Sequence, residues 1–567
     1  MFNYLISRDY IQELADGFNI LNKDHYYINN EIHLFLDKKI PLLSNEEGLS
    51  CFFSGSGLYK DTLISRYNLL DIVNDIIMSP ENYKYLSGHF SIVYIISGNI
   101  YICNSLFGTY PTYITENLKY ISDNEVLLSK INKSALNKNT LKIIAKYYAR
   151  YGYNMFNQVS RLGYSEITEI TSDSISNIDC LQYAIPTVKF HSLNDTLEEI
   201  NNRLMHLLKI YSDSDLRVGL TGGRDSRLFL SLAKKSNIHN INTYTVGTQK
   251  DIEAYIAKKV SRFYAVTHDV FSPSNINNYQ IEWYSNYINN ANFPILYKTE
   301  LISYLKKSPR KHLNSAIPET LLCHIDYFNG DNHPCQNFIK NRGSKLKNSI
   351  NLDKNDDDIL YHSAMKIWNS ISRRTNNNEL LIKLFFEQVT YQREWVYNIL
   401  KIGDFSGGTI CIFEDPTVLS LLSSIPEHYF HNDYLYSYYI KNFHPDMNSI
   451  ISTRDTDVGR VAKLSKLRLE FWKLFPLAIK NDPLEYLVTK NHAFMINLIK
   501  TERNRLTHIF SEKFISDIIN NSRYYPSNRI LRFSLRRLNK KVYSNYEIIM
   551  PFCIALILSS HSVKNHG

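Results

Sequence analysis

Ten consecutive residues carry the densest chemistry in the chain: Val218-Gly219-Leu220-Thr221-Gly222-Gly223-Arg224-Asp225-Ser226-Arg227. The apolar run before them, Leu216 to Leu220, reads as a short buried strand, and LFLSLAKKS after them reads as a helix. A loop in that position opens a helix N-terminus, whose first amides have no intrahelical partner. Gly222 and Gly223 let the backbone turn sharply and approach a ligand closely. Thr221 and Ser226 add hydroxyls. Amides, hydroxyls and the positive end of the helix dipole together make a cradle for pyrophosphate. Asp225 would stand beside the phosphates, where a carboxylate either calls for Mg²⁺ or anchors the turn. Arg224 and Arg227 either donate to phosphates as bidentate forks or form salt bridges within the domain. The bland alternative is an ordinary strand–turn–helix with a Gly-Gly corner. The spacing is neither GxxxxGK[ST] nor GxGxxG.

These residues need a scaffold, and the flanking sequence supplies one. INTYTVGT (241–248) reads as a second strand, IEAYIAKKVSRFYA as a helix, and a third strand starts near Thr267. Strand–helix alternation at this spacing predicts a parallel, doubly wound sheet. Before it, Leu193, Leu197, Ile200, Leu204, Leu207 and Leu208 recur at helical spacing, with Thr196 and Glu199 as a capping box. Residues 1–130 have another texture. IPLL (40–43), GLSCFFSG (48–55), HFSIVYIISG (89–98), NIYICNS (99–105), TYPTYIT (109–115) and KYIS (119–122) read as short strands of an antiparallel, α+β region. Ser97-Gly98-Asn99 between two apolar runs is a hairpin signal. The polar stretch 341–358 reads as a mobile loop or lid, and the remainder as mostly helical. The basic run 529–541 reads as a solvated helix face before an anionic partner site.

Composition bounds the answer. The 567 residues suggest two to four domains. A charge of 64 − 55 = +9 is too mild for a nucleic-acid binder, so no nucleic-acid partner is expected. With 44% hydrophobic and 21% charged residues, the chain can bury a large core. Seven cysteines, an odd number with no CxxC, fit a reducing cytoplasm better than a disulfide framework. The N-terminus has no signal-peptide pattern, and the apolar stretch Ile548 to Leu558 is too short to span a bilayer. Cys323-His324 and His333-Pro334-Cys335 fit no common zinc module.

The loop resembles the SGGxDS pyrophosphate loop of the PP-loop ATP pyrophosphatases, in which ATP is split between the α and β phosphates. Thr243 to Thr248, followed by Asp251 and Glu253, looks like the matching stretch of the asparagine synthetase C-terminal domain. Those two acids are equally well explained as first-turn residues favoured by the helix dipole. Leu86 to Val93, Ile100 to Asn104, Phe107-Gly108 and Pro111-Thr112-Tyr113 are similar to the core of class II glutamine amidotransferase domains. Tyr147, Gly152, Phe156 and Leu162-Gly163 look like that family's linker, and Phe413-Glu414-Asp415-Pro416 with Ile425-Pro426 resembles "PFLDp…lP". The chain is thus similar, over most of residues 50–450 and in family order, to the asparagine synthetase-like family.

The departures decide what the resemblance implies. Position 2 is Phe2, so the N-terminal cysteine of the glutaminase is absent and no glutamine hydrolysis is expected. Cys-less relatives with this layout include β-lactam and carbapenam synthetases and lasso-peptide cyclases. The family's Gly-rich acidic second loop has Asn314 to Leu321 as its best candidate, with Glu319 as a possible Mg²⁺ ligand but no glycines. The glutamate of a Tyr–Glu base pair would fall at Gly408. For the family's late lysine the candidates are Arg454, Arg460 and Lys463.

The expectation is therefore a multidomain α/β and α+β chain. An antiparallel, Ntn-hydrolase-like scaffold domain spans 1–180. A doubly wound parallel-sheet PP-loop domain (adenine nucleotide alpha hydrolase-like) with many helices spans 190–567. The resemblance implies ATP and Mg²⁺, bound by Gly219, Leu220, Thr221, Gly222, Gly223, Arg224, Asp225, Ser226, Val246 and Gly247. It implies catalytic roles for Asp225, Arg454 and Lys463, and metal ligation by Asp225 and Glu319. The reaction it implies is amide formation between an adenylated small-molecule or peptide carboxylate and an amine. The alternative is a degenerate relative that binds nucleotide or a protein partner.

Overall fold

The computed structural model describes every residue except 1, 12–22, 30, 248–251, 273–275, 277–300, 302–303, 306, 314–320, 323, 344–345, 347–348, 352–353, 396–399, 405–406, 451–482, 522–544 and 561–567. Two antiparallel sheets come from residues up to Asp179. Tyr4–Ser7, Asp24–Ile28, Ile32–Leu36, Tyr113–Thr115, Tyr120–Ser122 and Val159–Arg161 form one. Ser50–Tyr59, Leu86–Ile96, Asn99–Asn104, Glu166–Ile170 and Ile175–Asp179 form the other, with Leu43–Ser44 and Thr62–Leu63 at its margin. Side chains from alternate positions of both sheets share one core: Tyr4, Ile6, Leu34 and Ile121 from the first, Phe52, Val93 and Ile102 from the second. The hairpin between Ile96 and Asn99 turns through Ser97 and Gly98, at φ 50° and 81°. Two positive φ values give the right-twisted two-residue turn.

The third sheet is wholly parallel. Its spatial order is Thr267–Phe271, Ile241–Val246, Leu216–Gly219, Lys311–Leu313, Thr409–Ile410. Numbered along the chain this is 3-2-1-4-5, so the winding reverses between Leu216–Gly219 and Lys311–Leu313. In open α/β sheets, ligands bind outside the carboxyl ends of the strands at such a reversal.

Several elements differ from the sequence reading. Tyr4–Ser7, Asp24–Ile28 and Ile32–Leu36 are strands that it did not name. The helix Leu193–Lys209 is capped by Ser192, whose side chain accepts from the Asp195 amide at 3.1 Å, and Thr196 is already inside it. The end of the supposed lid is helical: Lys354–Arg374 begins there, with Asp356 and Asp357 in its first turn, where the helix dipole favours acids. The basic run 529–541 lies outside the described residues. The C-terminal helices Pro483–Thr501, Glu512–Asn521 and Asn545–Ser560 share a core with Leu5, Phe35, Val126 and Leu141 of the N-terminal part. Ile548 to Leu558 are all buried there, and Pro551 interrupts the amide ladder of the helix. Among the described residues, no helix is long and apolar enough to cross a membrane.

Candidate functional site

Leu216 and Val218 are fully buried, which fixes the central strand between its two neighbours. The chain then turns through Leu220 to Gly223 into the helix Arg224–Lys235. Leu220 is held to the second strand from both sides. Its amide donates to the Tyr244 carbonyl at 2.7 Å, and its carbonyl accepts the Thr245 hydroxyl at 2.5 Å. The second strand ends at Val246 and Gly247, whose amide donates to the Phe271 carbonyl at 2.6 Å. Gly219 to Ser226 and Val246-Gly247 therefore share the carboxyl edge of the sheet.

The loop's hydroxyls shape the turn itself. The Thr221 amide donates to Ser226 Oγ at 3.0 Å, the two hydroxyls stand 3.1 Å apart, and the Gly223 amide donates to Thr221 Oγ1 at 3.1 Å. The glycines work differently from the sequence expectation. Neither Gly222 nor Gly223 has positive φ, and Gly223 sits at φ −75°, ψ 176°, open to any residue. What glycine supplies here is a missing side chain. A Cβ on Gly223 would lie 3.2 Å from Thr221 Oγ1, and one on Gly219 the same distance from the Tyr244 hydroxyl.

The charged residues of the loop are engaged with protein groups. Arg224 is buried and forks onto Asp433, with Nη2 2.9 Å from Oδ1 and Nη1 on Oδ2. Its guanidinium lies 4.7 Å from the centre of the Tyr436 ring. Arg227 is buried and donates to four carbonyls: Gly222 at 2.9 Å, Gly223 at 3.0 Å, Met447 at 3.3 Å and Ile450 at 2.7 Å. Burial pushes its guanidinium down to about 10. Of the two roles open to these arginines, both side chains perform the one internal to the domain. Asp225 Oδ1 accepts the Tyr436 hydroxyl at 2.5 Å. Glu253, in the first turn of Ile252–Phe263, accepts the Gly222 amide at 2.5 Å.

The Gly222 amide, beside a helix N-terminus, holds a carboxylate of the protein itself. For Mg²⁺ the described residues offer less. No group of three or more His, Cys, Asp or Glu side chains among them is placed to hold a metal ion. Glu319, Arg454, Arg460, Lys463 and Asp251 lie outside the described residues.

Three features at this sheet were not anticipated. Tyr436 and Asp433, which clasp the loop's Asp225 and Arg224, lie over 200 residues away in the chain. His268 stands 3.3 Å from Thr245 Oγ1, next to the hydroxyl that holds Leu220, and burial pushes its ring down to about 4. Glu414 is fully buried and faces the N-terminal half. It accepts from the Ser105 hydroxyl at 2.8 Å, the Phe107 amide at 3.0 Å and the Thr109 hydroxyl at 2.6 Å, and burial raises its carboxyl. Asp415 beside it caps Pro416–Ser424 and pairs with Arg203 at 2.8 Å. The Phe413–Pro416 motif thus fastens the two halves together.

No family model and no curated protein matches the chain. Among solved structures, the NH3-dependent NAD synthetase from Campylobacter jejuni subsp. jejuni NCTC 11168, in complex with the nitrate ion, matches at 16% identity. The match covers 31% of this chain and 95% of that one, with a TM-score of 0.17.

Proposed function

We propose that the chain is an ATP-dependent amide-forming ligase that adenylates a substrate carboxylate and passes the acyl group to an amine. The observation that carries this reading is the loop Leu220–Gly223: two consecutive glycines at the winding reversal of a parallel sheet and ahead of a 12-residue helix. A carboxylate oxygen attacks the α-phosphorus of ATP, the bond to the β-phosphate oxygen breaks, and pyrophosphate departs. The Gly222 and Gly223 amides and the helix N-terminus are suited to its developing charge. The amine then attacks the acyl carbon, AMP leaves, and the amine loses its proton. The gain comes mainly from positioning and electrostatics. Asp225, the acid of the loop, would hold a Mg²⁺ ion, which would supply charge screening for the triphosphate. Catalytic roles for Arg454 and Lys463, and metal ligation by Glu319, belong to the same reading.

The test is ATP–pyrophosphate exchange by the purified chain, with Mg²⁺ and a panel of carboxylates. Exchange that disappears in Asp225→Ala is expected. No nucleotide binding at millimolar ATP would sink the proposal. The Glu253 contact favours a second reading, in which the loop's anion site is satisfied internally and the chain is a non-catalytic relative. That reading expects no exchange with any carboxylate, and binding of ATP or a protein partner only.

A further inference from the structure

The outer edge of the first antiparallel sheet carries a pair of histidines that the nucleotide loop does not use. Asp24–Ile28 is the last strand on that side and pairs antiparallel with Ile32–Leu36. Ile28, Ile32, Leu34 and Leu36 turn into the core that the two antiparallel sheets share. By the two-residue period of a strand, His25, Tyr27, His33 and Phe35 lie together on the opposite face. The register sets His25 across from Phe35 and Tyr27 across from His33, so the two histidines are diagonal neighbours.

Aromatic contacts fix both imidazole planes. The His25 ring stacks on the buried Phe35 with centroids 4.5 Å apart and planes within 10°. The His33 ring stacks on Tyr27 at 4.7 Å, and the Tyr10 ring meets it edge-on at 5.3 Å. Held in this way, His25 Nε2 stands 3.2 Å from His33 Nδ1. Neither ring has another hydrogen-bond partner among the described residues. His25 is exposed, so the facing nitrogens are open to solvent on one side. Burial, and then the neighbouring His33, hold the His25 ring below its ordinary value, which favours the neutral imidazole that ligates metals.

We infer that His25 Nε2 and His33 Nδ1 form a surface site for a late first-row divalent cation, Cu²⁺ ahead of Ni²⁺ and Zn²⁺. A cation about 2.05 Å from both nitrogens, the usual zinc–imidazole length, would see them at an angle of about 103°, close to the tetrahedral value. The nitrogens therefore need not separate. The ring planes lie within 15° and the centroids are 5.4 Å apart, so the rings meet nearly in line. Each swings outward about χ2, a soft torsion for histidine. The proton between the facing nitrogens moves to an outer ring nitrogen, and both rings stay neutral. Water fills the remaining positions, so the bound cation exchanges with solvent. Nothing in the assignment depends on what the nucleotide loop binds.

Calorimetric titration of the untagged full-length chain with Cu²⁺, Ni²⁺ and Zn²⁺ tests it, with Mg²⁺ as the hard-cation control. One site is expected to bind at least tenfold tighter than any other and to take no Mg²⁺. His25→Gln and His33→Gln should each weaken that site at least tenfold. The double variant should lose no more than either single one, because a chelating pair is broken by its first loss. Zn²⁺ should raise the unfolding midpoint of the wild type and not that of the variants. The exposed His239 gives the control: His239→Gln should leave the tight site unchanged. The chain has 18 histidines, and binding by scattered single histidines only would overturn the inference. Its signs are the absence of a tight site, losses that add in the double variant, or unchanged affinity in either single variant.

Discussion

The backbone amide of Gly222 donates to Glu253 Oε2 at 2.5 Å. An acid from the second crossover helix thereby sits on the donor that a phosphate oxygen would use. Two anions cannot share one amide, and their charges repel at close range. Replacing the acid by a neutral acceptor should therefore help nucleotide binding. Glu253→Gln is expected to tighten ATP or pyrophosphate binding by roughly fivefold, equal to about 1 kcal/mol, a modest share of a charge-assisted hydrogen bond. Isothermal titration decides it. Unchanged or weaker binding would mean that Glu253 assists the ligand instead of competing with it.

Gly223 offers a steric test of the same loop. Its backbone, at φ −75° and ψ 176°, accepts a β-branched residue without strain. A Cβ would meet Thr221 Oγ1 at 3.2 Å, and the branches of valine would crowd the turn where a phosphate would have to approach. Gly223→Val should leave the melting temperature within a few degrees and weaken ATP binding at least tenfold, a loss of about 1.4 kcal/mol or more. Equal affinity in the variant would remove the loop from consideration as a phosphate site.

The parallel unit was legible because three signals agree there: Leu216 to Leu220 is an apolar run, Gly222-Gly223 breaks it, and the next strand follows at crossover spacing. Asp24–Ile28 was not, since it is an edge strand whose Tyr27 is exposed and whose polar residues mask the alternation. Thr196, with a Glu three residues on, matches a capping box, yet the apolar stripe already starts at Leu193, one residue after Ser192. At the site, the loop's existence was readable and its side-chain roles were not. Arg224 and Arg227 could face ligand or protein by type alone, and their partners Asp433 and Met447 lie over 200 residues away. Glu414 is the plainest case. It joins Ser105 across 309 residues, a pairing that no local period encodes.

Arg227 makes a stability prediction. Its guanidinium spans the carbonyls of Gly222 and Gly223 on one side and of Met447 and Ile450 on the other. Arg227→Met keeps the apolar stem and deprives four carbonyls of a donor. The expected cost is about 3 kcal/mol, the scale of unsatisfied buried acceptors. Arg227→Lys should recover little of it, because one ammonium cannot reproduce the planar fork. Urea unfolding measures both. A loss below about 1 kcal/mol in the methionine variant would show that the loop is held by other means.

His268 sets a pH dependence at the second strand. Its ring is within hydrogen-bond distance of the Thr243 and Thr245 hydroxyls, and burial lowers it to about 4. In the unfolded chain the ring titrates near its ordinary 6.5. Between those two values the unfolded state binds the proton and the folded state does not. Stability is therefore full above about 6.5 and is lost as the pH falls toward 4. The slope from this ring is at most about 1.4 kcal/mol per pH unit, and less because a half-buried ring is partly screened. Urea unfolding at pH 7 and pH 5 should show the loss in the wild type and a smaller loss in His268→Gln. Because Thr245 also holds the Leu220 carbonyl, the same acidification should weaken ATP binding in the wild type more than in the variant. Parallel pH profiles for the two proteins would place the acid sensitivity elsewhere.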